Sequence, residues 1–150
     1  MAIWRITSQP SRVLETLRES LENPDGIRTD VILCLAEIGP HAMPLVPLLE
    51  PLLEDRGSSS TWYVAAALWR IDRRAEDTLP HLIDALEGQY IEVLGIRCLG
   101  EIGARATAAL PHLERYQNLE YLGQARIEAA RESLKRITEE LQRGEGAGGR

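Results

Sequence analysis

The chain has 150 residues, of which 44% are hydrophobic and only 5% aromatic, with 22 Leu, 16 Ala, five Val, seven Thr and no Phe. A chain of this length can bury a core of its own, that core must be aliphatic, and the abundance of Leu, Ala, Glu and Arg over β-branched residues excludes an all-β fold. Seventeen basic against 23 acidic residues leave a formal charge of -6, which opposes nonspecific attraction to nucleic acid or to anionic lipid.

The opening Met1-Ala2-Ile3-Trp4-Arg5-Ile6 reaches polar residues too early to build a signal peptide, and Glu, Arg or Pro cuts the apolar runs short of a membrane span. A cytoplasmic chain with no membrane partner is therefore expected. Ile3-Trp4-Arg5-Ile6, followed by Leu14, Leu17 and Leu21, reads as a partial unit over 1–24. After the turn Asn23-Pro24-Asp25-Gly26 comes a unit over 25–56: a first helix with Val31, Leu35 and Ile38 that stops at Gly39, then a second helix carrying Val46, Pro47 and Leu49. Asp55 to Ser60 is the next turn. The unit 57–88 repeats the scheme with Val64, Leu68 and Ile71, then Leu79, Pro80, Leu82 and Leu86; the unit 89–122 does so with Leu99, Ile102 and Gly103, then Leu110, Pro111 and Leu113. Proline suits the first turn of each second helix; a helix that starts earlier should be kinked by it. A capping helix over 123–142 carries Leu134 and Ile137, and 143–150 reads as a flexible Gly-rich tail.

The anchors Ile3, Leu35, Leu68, Leu99 and Leu134 recur every 31 to 35 residues, a period that implies stacked helix pairs. Leu-x-x-Ile-Gly, then Ala three residues on, then Leu-Pro-x-Leu, resembles the HEAT repeat, particularly the bacterial subclass of PBS-lyase HEAT-like repeats, over about residues 1–140. The resemblance implies an all-α fold: a right-handed α-solenoid of stacked antiparallel helix pairs whose second helices line a concave surface. It also implies a non-catalytic scaffold that grips another protein there. The second unit departs from the pattern, with Trp69 at the place of Ala36 and Gly100 and Asp72 at that of Gly39 and Gly103, which makes its helix packing and turn geometry the ones to check.

At 100° per residue the inner helices turn Leu48, Pro51 and Asp55, then His81, Asp84 and Gly88, then His112, Arg115 and Leu119 away from the Leu stripe, with Tyr116 alongside. Leu48, His81, Asp84, His112, Arg115 and Tyr116 are the candidate partner contacts. This mixture of apolar, imidazole and oppositely charged groups suits a protein surface better than a phosphate backbone, so no nucleic-acid partner is expected. Leu45, Val46, Leu48, Leu49, Leu52 and Leu53 make the second helix of the first full unit apolar nearly all round, which means an exposed patch or deeper packing.

Cys34 and Cys98 share one repeat position with Ala67 and Ser133, a slot for a small side chain; two units apart, they should be too far to bridge. His81 and His112 are likewise equivalent and His41 lies in a turn, so no metal site is expected. No nucleophile, phosphate loop or paired acid and base stands out, and no catalytic residue or cofactor is expected. Two other readings remain: a subunit of a bilin-lyase-like enzyme, and a nucleic-acid binder like the HEAT-like DNA glycosylases. Trp62, Tyr63 and Trp69 could fill core volume or serve an interface. A first unit entered partway through its first helix leaves either a stack capped by its second helix or a piece of a longer array, with end-to-end homodimerisation as the consequence of an open apolar end.

Overall fold

Helix-forming residues at helical spacing produce helices throughout a computed structural model of the chain, which describes residues 10–23, 29–54 and 60–147; no strand occurs among them. The chain divides into two compact units, Met1–Arg74 and Ala75–Arg150. The boundary falls inside the expected unit 57–88, between its two helices. The partial copy at Ile3 to Ile6 and the turn residues 24–28 and 55–59 lie outside the described residues.

The first unit contains α1 (Pro10–Glu22), α2 (Thr29–Ile38), a 3-10 stretch Gly39–Leu45, α3 (Val46–Leu49), a second 3-10 stretch Glu50–Leu53 and α4 (Thr61–Asp72). Its core takes Val31, Ile32, Leu35, Leu45 and Leu49 together with Trp62, Val64, Leu68 and Ile71, each buried. The continuous second helix expected after Gly39 is broken into three short pieces. A 3-10 stretch also follows Gly103 without a proline; here prolines at 40, 44, 47 and 51 each remove a backbone donor as well, which suits further 3-10 geometry at Glu50–Leu53 over a regular α-helix. Pro47 does occupy the first turn of α3.

Thr29–Leu53 is nevertheless one helical run of 25 residues, long and apolar enough by length and composition to cross a membrane. This overturns the expectation that every apolar run is cut short. Half of its most apolar stretch is buried inside the protein, the property of a core helix as well.

The second unit contains α5 (Ala75–Glu87), α6 (Val93–Ile102), a 3-10 stretch Gly103–Ala109, α7 (Leu110–Tyr116), a 3-10 turn Glu120–Leu122 and α8 (Gln124–Ala147). Pro111 sits in the first turn of α7, but Pro80 lies inside α5, which begins five residues earlier. The turn chemistry explains the difference. Gly39 and Gly103 take φ +64 and +68, positive values that suit glycine, where α2 and α6 give way to 3-10 turns. Asp72 stands at that position after Ile71, so the positive φ passes to Arg73, left-handed at φ 58. The Arg73 guanidinium lies 5.1 Å over the Trp69 ring, and Arg74 binds Asp72 and, at 2.5 Å, Glu50. These contacts help offset the roughly 1–2 kcal/mol cost of a non-glycine in that conformation.

The final helix extends through Gly144 to Ala147, so the tail expected from 143 is partly helical. Once α8 is nucleated by packing, each further residue adds a hydrogen bond at small cost even where Gly weakens it.

Along α6 and α8 the contacts advance in step. Arg126 binds Glu92, with Nε at 3.1 Å; the Ser133 hydroxyl donates to the Ile96 carbonyl at 2.9 Å; and the Glu140 carboxylate accepts the Ala104 N–H at 3.0 Å. Both partners move toward the C-terminus together, so α6 and α8 run in the same direction. The partners are 34, 37 and 36 residues apart, close to the sequence period. Where α6 passes Ser133, a Cβ on Gly100 would lie 2.8 Å from Ser133 Oγ and 2.9 Å from Ser133 Cα. Gly100→Ala is therefore expected to lower stability by about 1–3 kcal/mol, read as a drop in thermal midpoint by circular dichroism. Adding Ser133→Ala should not restore it, because the α8 backbone remains in the way.

Candidate protein-binding surface

Two short helices of the second unit, α5 and α7, pack together and carry five of the six candidate contacts. In α5 the buried residues are Ala75, Thr78, Leu82, Ala85 and Leu86, one helical stripe, and in α7 they are Leu113 and Tyr116. Opposite these stripes, His81 and His112 are half-buried, while Asp84 and Arg115, three residues further on, are both exposed. The repeat register thus carries over to exposure. The same step along two packed helices presents an imidazole and then a charge, negative on α5 and positive on α7.

Leu48 is half-buried on α3 in the first unit. Tyr116 corrects the expectation: it is 1% exposed, and its hydroxyl donates to the Ile91 carbonyl at 3.3 Å. The reason lies in the register, because Tyr116 follows Leu113 by three residues as the fully buried Ala85 follows Leu82. It occupies the core slot that Ala85 fills on α5, and it is not a ridge contact. Burial pushes its phenol up, with the Arg126 cation pulling the other way. Comparing position 116 with 85 rather than with the neighbouring Arg115 was the signal that could have found this.

The remaining apolar candidates divide in the same way. Trp62 and Trp69 are buried at 1% and 4% exposure and fill core, while Tyr63 is half-buried with its ring stacked on Trp62 at 3.7 Å. In the apolar stretch 45–53, Leu45, Val46 and Leu49 are buried and Leu48, Leu52 and Leu53 half-buried, so deeper packing accounts for much of it. Tyr90 and Tyr121, 42% and 72% exposed, were not singled out from the sequence. Nor was a cleft of about 370 Å³ lined by Gln117, Asn118, Glu120, Gln124, Ile127 and Arg131, whose residues read only as a turn and the start of a helix.

Cys98 is buried and Cys34 half-buried, and neither forms a disulfide among the described residues. Ser133, at the same repeat position, fills a buried slot between α8 and α6. Among the described residues no three His, Cys, Asp or Glu side chains gather where they could hold a metal ion. No protein-family model, no curated protein and no solved structure matches this chain.

Two measurements check these placements. Tyr116→Phe strands the Ile91 carbonyl and should cost about 1 kcal/mol, whereas Tyr116→Ala, which empties a core slot, should cost about 3 kcal/mol or more; equal small losses would mean an exposed ring. Burial, then Glu37 and Asp30, push the Cys34 thiol up by disfavouring the charged thiolate. Its alkylation by iodoacetamide should therefore rise with pH around a midpoint above the usual thiol value of about 8.5, and Glu37→Gln should move that midpoint down.

Proposed function

We propose that this chain is a non-catalytic HEAT-type interaction module that binds another protein on the concave face of an α-solenoid. The observation that carries the reading is the parallel α6–α8 contact: its partners lie one repeat period apart, the relation expected when first helices of successive units stack. The end of α2 supports it in the first unit, where a Cβ on Gly39 would meet the Arg70 carbonyl of α4 at 3.7 Å, again close to one period away.

Stacking of this kind assigns the second helices to the inner surface, and α5 and α7 are such helices. Their exposed Asp84 and Arg115, with the half-buried His81 and His112, form a small ridge of mixed charge. A rigid helical platform of this kind binds with little ordering cost, and opposite charges at fixed positions select a partner of complementary pattern more than they add affinity. By sequence register Leu48 is the corresponding second-helix residue within the first unit.

The double reversal Asp84→Lys and Arg115→Glu should abolish capture of the partner from a lysate of the source organism, with helicity and thermal midpoint unchanged, since both side chains are exposed. Capture that survives the reversal would refute the ridge, and a collapse of the thermal midpoint would refute its assignment as surface.

A further inference from the structure

The cleft beside the α7–α8 turn differs from the ridge in chemistry. Its volume of about 370 Å³ is within the range of ligand clefts, but such clefts are mostly apolar, and here Ile127 is the one apolar residue of the lining. Two of its amides are already oriented. Asn118 Nδ2 donates to the Glu114 carbonyl at 2.9 Å and Gln124 Nε2 donates to Glu128 Oε1 at 2.9 Å, which leaves the amide oxygens as acceptors for an incoming N–H. Arg131 supplies the positive charge. On the same helix Arg126 is bound to Glu92 and Lys135 faces Glu139 at 3.8 Å, whereas Arg131 has no carboxylate partner among the described residues.

Backbone-type acceptors beside an available guanidinium complement one common chemical group, a carboxylate attached to amide N–H donors. We propose that this cleft takes the carboxyl end of an extended peptide, with the terminal carboxylate on Arg131 and the preceding N–H groups on the amide oxygens of Asn118 and Gln124. Glu120, also in the lining, opposes a second negative charge and favours a neutral or basic side chain just before the terminus. The inference deepens the interaction-module reading and rests on it for the kind of ligand, but it uses a different surface.

The test is a titration of the ¹⁵N-labelled full chain with N-acetyl-trialanine as the free acid, as its C-terminal amide, and with sodium acetate. Expected are saturable backbone shifts confined to about residues 117–131 with the free acid, weakened at least about tenfold by amidation or by Arg131→Gln, and restored in part by Arg131→Lys. Equal responses to acid and amide, insensitivity to Arg131→Gln, or no shifts at tens of millimolar peptide would each overturn the proposal; shifts with acetate as large as those with the free acid would reduce the cleft to an anion site and overturn the peptide. Arg115→Glu should leave this titration unchanged, so failure here and failure of the ridge are read separately.

Discussion

The close approach of α8 to α6 at Gly100 and Ser133 is the constraint on which the second unit depends. Only a residue without Cβ lets the α8 backbone come this near, and once there Ser133 can reach the Ile96 carbonyl in a buried setting. That hydrogen bond satisfies the hydroxyl, whose burial would otherwise be costly. The contact also fixes the register of its neighbours, because Arg126 on Glu92 and Glu140 on the Ala104 N–H are one or two helical turns away on the same faces. A larger side chain at position 100 would lift α8 and loosen all three polar contacts together.

The scarcity of aromatic residues follows from the same economy of space. Equivalent positions are occupied by Ala42, Ala75 and Ala106, and by Leu49, Leu82 and Leu113, all of them buried. A repeated small-residue slot holds packed helices at a common spacing, and a ring there requires local adjustment. Where rings do enter, the surroundings change with them. Trp69 stands at the position of Ala36 and Gly100, and it is beside Trp69 that the glycine turn is replaced by Arg73 in the left-handed conformation with its guanidinium over the indole. Tyr116 stands at the position of Ala85 and anchors its hydroxyl on the Ile91 carbonyl.

The helices and their core faces were legible in the sequence because each rests on local information: Leu35, Leu68 and Leu99 at one register, glycines after Ile38 and Ile102, and proline after Val46 and Leu110. Less legible was anything set by competition between neighbours. The 3-10 stretch after Gly39 recurs after Gly103 without a proline, so what the prolines add is the further break at Glu50–Leu53, where Pro51 opens a second 3-10 stretch in a Leu-rich run whose composition alone suits one long helix. The early start of α5 follows from the loss of one glycine, which shifts the turn by a residue and removes the 3-10 segment seen after Gly39 and Gly103. For the candidate contacts, exposure of Asp84 and Arg115 followed from helical periodicity, but Tyr116 did not. Its position beside the ridge in sequence was outweighed by its position in the repeat, which is the core slot of Ala85.

The ridge and the cleft ask different things of the same unit. Asp84 and Arg115 are exposed, so water screens their charges; on the proposed ridge they would act mainly by rejecting a partner with the wrong charge at either step. The cleft has directional acceptors in Asn118 and Gln124 held by bonds to Glu114 and Glu128, and a guanidinium at Arg131 whose planar geometry rewards a carboxylate placed in line with it. A partner reading the ridge alone would be bound through a small, salt-sensitive surface. One that also placed a chain end in the cleft would gain a directional contact on the α8 side of the unit, and the two together would discriminate by charge pattern and by chain polarity at once.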